Sequence, residues 1–195
     1  MAEVGRSARS EPQVDEVRAL AACQQGDRNA YELIVERYKA RAIGVARSIL
    51  RDVGLAEDVA QEAFVRAFRA VKRFRLEEPF YPWFYRILKN CCLTALKRRK
   101  RRVLSLDVED APPVAAPPND PSHAASREEL KAQVRYAMTQ VSDKHREILH
   151  LSHFDGLAYK EIAGCLRIPI GTVMSRLWAA RQALKKVMEK LLHHE

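Results

Sequence analysis

Between Phe80 and Asn90, five aromatic residues (Phe80, Tyr81, Trp83, Phe84 and Tyr85) stand beside Arg86, Lys89 and Asn90. Rings interleaved with cations suit single-stranded nucleic acid, because exposed bases stack on the rings while phosphates need positive charge. Asn90 and Thr94 lie one helical turn apart and put polar groups on a single face, within reach of a base edge. Lys97 to Arg102 then supplies six consecutive positive charges. Aromatic clusters also build cores, and Trp83 and Phe84 are expected inside one. A basic run alone is usually a solvated surface, but its place just past this helix favours phosphate contact.

A second constellation lies between Tyr159 and Leu184. Ile162, Ala163 and Leu166 give a short helix an inward face. Arg167-Ile168-Pro169-Ile170-Gly171 breaks it, and Thr172 can cap or open the next helix. Val173, Leu177, Ala180, Leu184 and Val187 recur at spacings of four and three, the stripe of a helix with one buried side. Thr172, Ser175, Arg176, Ala179 and Lys186 occupy the other side, flanked by Trp178 and Arg181. Small polar groups with an arginine near a helix N-terminus are what reading base edges in the major groove requires, and Lys160 is placed for a phosphate. From Lys160 to Lys190 there are seven Lys and Arg against two Glu, so the local field favours DNA. The bland alternative is an ordinary basic α-hairpin.

A third surface has the opposite charge. Asp58, Gln61, Glu62, Val65 and Arg69 recur at spacings of three and four on one helix, and the first half of that face is acidic. DNA would repel it, so a basic protein partner fits better than nucleic acid, unless the face is merely solvated.

These residues need helices to hold them. From Val14 to Leu96 the pattern is helical, with Leu20, Leu33, Ile34 and Tyr38 recurring at helix spacing. Gly26-Asp27 ends the first helix, and Asp27 can cap the next. Arg51 to Gly54 is a second break. Val59, Ala63, Phe64, Ala67, Phe68 and Val71 then share a side. Pro79 and Pro82 interrupt again, Pro82 being suited to opening a helix from Trp83 to about Arg101. Val103 to Ala125 holds five of the nine prolines together with Asp107, Glu109, Asp110 and Asp120, the composition of an extended acidic linker. Ser126 to Glu129 reads as a capping box, followed by helices at about 127–140, 143–154, 159–166 and 171–192. The expected fold is all-α: two small helical domains joined by a flexible Pro-rich linker, the second containing a helix-turn-helix. The expected layout is a disordered tail at 1–13, a first domain at 14–102, a linker at 103–126 and a second domain at 127–195.

Composition narrows the function classes. The net charge of +9 favours a polyanionic partner. No stretch reaches the roughly 18 consecutive apolar residues of a membrane span, and the N-terminus lacks a secretory apolar core. Cys23, Cys91, Cys92 and Cys165 are scattered without a C-x-x-C pair, which reads as a reduced, cytoplasmic chain, with Cys91-Cys92 as small buried apolar residues. There is no Gly-rich phosphate loop, no metal-ligand spacing and no nucleophile–base pair, so neither an enzyme nor a cofactor is expected. His193-His194 is too little for a metal site. A recombinase or nuclease would need clustered carboxylates, or a nucleophile framed by arginines. A self-sufficient duplex-binding regulator would explain the helix-turn-helix but not the acidic face at Asp58.

With these motifs assembled, the chain resembles the bacterial RNA polymerase sigma factors of the extracytoplasmic-function group, from about Val14 to Leu192. The resemblance rests on Tyr31 to Tyr38, Ala56 to Phe64, Trp83 to Ile87, Asp155 to Ala163 and Ile170 to Arg176. It implies a promoter-specificity subunit that recognises −10 and −35 elements and nucleates strand separation. By the resemblance, Asp58, Gln61, Glu62, Val65 and Arg69 meet core polymerase at the β′ clamp helices, and the β flap is a further contact. Arg86, Lys89, Asn90, Thr94, Lys97 and Arg98 lie on the −10 element, with one base captured near Asn90. Lys160, Thr172, Ser175, Arg176, Trp178 and Arg181 lie on the −35 element. The linker would thread toward the RNA exit path, and an anti-sigma factor is expected as a regulator. Met174 and Ala179 depart from the basic residues that relatives can carry at these positions.

Overall fold

The computed structural model describes residues 11–106 and 127–192. The N-terminal residues before Glu11, most of the Pro-rich span, the capping box at Ser126 and the His193-His194 pair lie outside the described residues. Every regular element among the described residues is helical.

The first body holds α1 (Glu11–Gln24), α2 (Ala30–Leu50), α3 (Val53–Ala70) with a 3₁₀ turn at Val71–Arg73, and α4 (Phe80–Leu106). The breaks fall where the sequence places them. The Asp27 carboxylate accepts from the backbone of Asn29 at 2.9 Å and Ala30 at 3.3 Å, which satisfies donors at the start of α2. Arg51 ends that helix in the left-handed region at φ 56°, and Asp52 opens α3 by accepting from Leu55 N at 3.0 Å. Three boundaries differ from expectation. α1 begins at Glu11, inside the expected tail. α4 begins at Phe80, so Pro82 stands third in its first turn rather than ahead of a start at Trp83, and α4 runs on to Leu106, inside the expected linker.

The core is built from spacing. Tyr31, Ile34, Tyr38, Ala42 and Val45 line one side of α2, and Ala56, Val59, Ala60, Ala63, Phe64 and Ala67 one side of α3. The alanines let the two axes approach, and rings fill what remains. Phe64 stacks on Phe84 at 4.5 Å between centroids, and Tyr38 meets both Phe80 and Tyr81 at 5.4 Å. Each such ring contributes about 1.5–3 kcal/mol on burial. The Tyr31 hydroxyl donates to Phe64 O at 3.0 Å, and the Gln24 amide donates to Phe74 O at 2.7 Å. Leu33 departs from its inward expectation. It is 40% exposed, because Tyr31, Ile34 and Tyr38 set the buried side one position away from it.

The second body holds α5 (Arg127–Gln140), α6 (Asp143–Leu149) extended by a π turn at His150–Phe154, α7 (Tyr159–Leu166) and α8 (Ile170–Leu192). Ser142 caps α6 by accepting from His145 N at 3.3 Å. The buried Arg146 guanidinium closes the end of α5, donating to Met138 O at 2.7 Å and Val141 O at 2.9 Å, carbonyls that the helix cannot satisfy itself. α7 and α8 are joined by a tight turn, with Ile162, Val173, Leu177 and Ala180 buried in the core of this body and Cys165 buried on the side of α7 that packs on α4. Arg167 ends α7 in the left-handed region at φ 53°. Thr172 neither caps nor opens α8. The helix already starts at Ile170, with Val173 N donating to Pro169 O at 3.1 Å, so Thr172 sits within its first turn.

The two bodies are docked. α4 packs on α7, and α2 packs on α6, so buried residues of both form one continuous cluster.

Candidate nucleic-acid and polymerase interfaces

Three surfaces emerge from this frame. The first is a groove of about 880 Å³ between α2 and α3. It gathers Asp58, Gln61, Val65 and Arg69 from the predicted face. Glu62 lies outside the groove and pairs with Arg66 one turn on. Sequence reasoning missed the opposite wall, Val35, Lys39 and Ile43 of α2. Their regular four-residue spacing on the outer side of α2 was the available signal. The groove has an apolar floor with Phe68, an acidic end at Glu57 and Asp58, and basic rims at Arg28, Lys39 and Arg69. A helix with apolar and mixed-charge side chains would be complementary to it.

The second surface is α4. Asn90, Lys97 and Arg98 are exposed, and Thr94 donates its hydroxyl to Asn90 O at 2.8 Å. Arg86 is half-buried, its Nε donating to Pro82 O at 3.1 Å. Lys89 is half-buried and ion-pairs with Glu147 of the second body. The aromatic cluster does not form an open stacking platform. Phe80 and Phe84 are core residues, and Trp83 packs half-buried against Phe74. Tyr81 and Tyr85, which were not assigned to the core, are 3% and 1% exposed. Their hydroxyls donate to Asp155 at 2.7 Å and to Glu147. Burial, together with these carboxylates, pushes both phenols well above their ordinary range. Burial pushes Asp155 up to about 6 and His150 down to about 4.

The third surface is α8. At 100° per residue, Thr172, Ser175, Arg176 and Ala179 fall on one side of the buried stripe, and Met174, Trp178 and Arg181 on the other. Ser175 is exposed, Arg176 half-buried and Trp178 66% exposed. Arg181 donates to His153 Nε2 at 3.3 Å. Lys160 stands exposed at the start of α7, which is capped by Glu161 accepting from Ala158 N at 2.9 Å.

All four thiols are buried, and burial pushes Cys92 and Cys165 up to about 12. The adjacent pair Cys91-Cys92 is core packing. Among the described residues no group of His, Cys, Asp and Glu could hold a metal, and no helix is long and apolar enough to cross a membrane.

Residues 34–102 match the family model for sigma-70 region 2, and residues 137–186 match that for sigma-70 region 4. The RNA polymerase sigma-H factor of Pseudomonas aeruginosa is 38% identical over 176 residues, covering 87% of this chain and 91% of that protein. The extracytoplasmic-function sigma-E factor of Escherichia coli K12 is 34% identical over 178 residues, covering 87% and 92%. Two solved structures share the fold. CnrH in complex with the cytosolic domain of CnrY has a TM-score of 0.67 at 23% identity, covering 90% of this chain and 98% of that one. The sigma factor RpoE in complex with the anti-sigma factor NepR from Bartonella quintana has a TM-score of 0.66 at 22% identity, covering 82% and 96%. The chain therefore belongs to the sigma-70 family, in its extracytoplasmic-function group, and is a non-enzymatic initiation factor that gives RNA polymerase its promoter specificity.

Proposed function

We propose a division of labour among the three surfaces. The α2–α3 groove takes core polymerase, with Asp58, Gln61, Val65 and Arg69 joined by Val35, Lys39 and Ile43, against the β′ clamp helices. The exposed side of α4, at Asn90, Thr94, Lys97 and Arg98, takes the −10 element together with Arg86 and Lys89. The α7–α8 face, with Lys160, Thr172, Ser175, Arg176, Trp178 and Arg181, takes the −35 element, and the second body also meets the β flap. One observation carries this reading: the mixed-charge groove and the basic end of α4 are separate surfaces of the same body, so polymerase and DNA need not compete for it. The cytoplasm is where such a factor works. An anti-sigma factor is the expected regulator, as in the complex of RpoE with the anti-sigma factor NepR from Bartonella quintana.

The testing experiment is transcription from a genomic promoter library by core polymerase, with and without this protein. New start sites that need both components, sharing sequence near −10 and −35, are the expected result. Start sites sharing only one of the two elements would remove the corresponding surface from the assignment. Duplex binding without polymerase and no start sites would favour a self-sufficient DNA-binding regulator.

A further inference from the structure

Away from the seam between the two bodies, a side-chain contact ties the π turn to α8. Arg181 donates its Nε hydrogen to Nε2 of His153 at 3.3 Å, across 28 positions of sequence. The π turn makes a firm post for that imidazole. Asp155 N donates to His150 O at 3.0 Å, the wide bond that closes the turn, and Leu157 N donates to Leu151 O at 3.0 Å. Leu151 is buried, and the His150 ring stacks on Phe154 at 5.1 Å. His153 is exposed between these anchors, so the turn holds its backbone while its ring meets α8.

Two features set this contact apart from an ordinary surface pair. The first is charge. An imidazole that accepts at Nε2 is neutral and carries its proton on Nδ1. Desolvation, and then the Arg181 charge, lowers His153 from its usual value and so favours that neutral form. His153 therefore fixes the guanidinium without cancelling its charge, as a carboxylate would. Glu189, the one acid between Ile170 and Leu192, pairs with Lys185 instead. The second feature is direction. His153 takes the Nε hydrogen of Arg181, and the hydrogens on Nη1 and Nη2 remain. Their end-on pair matches two oxygens of one phosphate. Arg181 also lies about three turns into α8, beyond the N-terminal residues from which recognition helices reach base edges. A phosphate suits that place better than a base.

We propose that His153 is a positioning residue for promoter binding: it holds Arg181 so that the outer edge of the guanidinium meets a phosphate of the −35 duplex, on the flank of α8 that also carries Met174 and Trp178. The role rests on the reading of the α7–α8 face as the −35 surface. A free arginine loses rotamer freedom when it binds, whereas a tethered one has already lost it.

The test uses full-length chain with core polymerase, on a duplex carrying the −35 sequence returned by the promoter library. R181A should weaken binding on every sequence. It should also reduce the slope of log affinity against log salt by about one, the mark of one lost phosphate contact. H153A should weaken binding about three- to tenfold with the slope kept, because Arg181 stays charged but untethered. H153Q should bind as the native chain does, its amide oxygen accepting in place of Nε2. H153A/R181A should bind no more weakly than R181A alone, since His153 acts through Arg181. Native affinity in H153A overturns the proposal. So does a double variant whose losses add, which would mean that His153 acts by itself, and so does H153Q binding as weakly as H153A. Should H153A not keep the native helical signal, H153F, which retains a ring without an acceptor, takes its place with the same expectations. Failure of the underlying reading shows separately, as R181A binding like the native chain.

Discussion

Tyr85 of α4 donates its phenolic hydrogen to Glu147 of α6, 62 positions further along the chain, and both groups are largely withdrawn from water. A buried hydroxyl facing a carboxylate contributes more than a neutral pair does. Tyr85→Phe should lower stability by about 1–3 kcal/mol, measured as a shift in the urea midpoint with an unchanged slope. A smaller loss would mean that water replaces the hydroxyl at little cost. Lys89 remains to hold Glu147 in that variant, so the bodies should stay docked.

The seam carries two opposed titrations. Burial holds His150 at about 4, below its ordinary 6.5, so the unfolded chain binds a proton that the folded chain refuses, and acidification from 6.5 toward 4 destabilises. Burial raises Asp155 from 3.8 to about 6, so the folded chain takes a proton that the unfolded chain does not, and acidification through 6 stabilises. Between about pH 6 and 4 the two oppose each other. Asp155→Asn should therefore lose stability on acidification across that window more steeply than the native chain, and His150→Gln should gain. Urea midpoints taken across the window check both slopes, and parallel curves for all three proteins would sink the account.

The groove geometry ranks the acidic side chains of α3. Asp58 lines it, whereas Glu62 lies outside it, paired with Arg66. Charge reversal at Asp58 should weaken binding to core polymerase by about tenfold or more, while reversal at Glu62 should cost clearly less, since close like charges at an interface are worth several kcal/mol. Both variants should keep native helical content. Equal losses would place the partner across both carboxylates rather than in the groove.

Arg176 and Trp178 fall on different sides of α8. If Arg176 reads a guanine, Arg176→Ala should cost about 1–3 kcal/mol on the cognate −35 sequence and little on a site mutated at that base. A uniform loss on every sequence would make it a phosphate contact. Binding to matched duplexes with core polymerase present separates the two.

Much of this architecture was legible locally. Asp27, Asp52 and Ser142 act at helix starts through carboxylates or hydroxyls a few residues from the donors they satisfy, and Val173, Leu177 and Ala180 declared their buried side by spacing. The face at Asp58 was visible for the same reason, whereas its opposite wall at Val35, Lys39 and Ile43 belongs to another helix. Tyr81 and Tyr85 were illegible in a different way. Their phenols are buried against Asp155 and Glu147, partners 74 and 62 positions away, and no periodicity in α4 announces a contact made by docking. Thr172 misled because a threonine inside the first turn of a helix and one at its cap look alike in sequence. The start of α8 was set instead by Pro169 and Ile170.

The four buried thiols give the molecule internal clocks. Cys165 lies against the seam, in the field of Arg86 across it, whereas Cys23 is enclosed by the helices of the first body. A thiol-specific reagent applied to the native chain would meet neither at once. Cys165 would become reachable when the bodies separate, and Cys23 only when the first body itself comes apart, so two labelling rates from one unmodified polypeptide would time its opening and its unfolding independently.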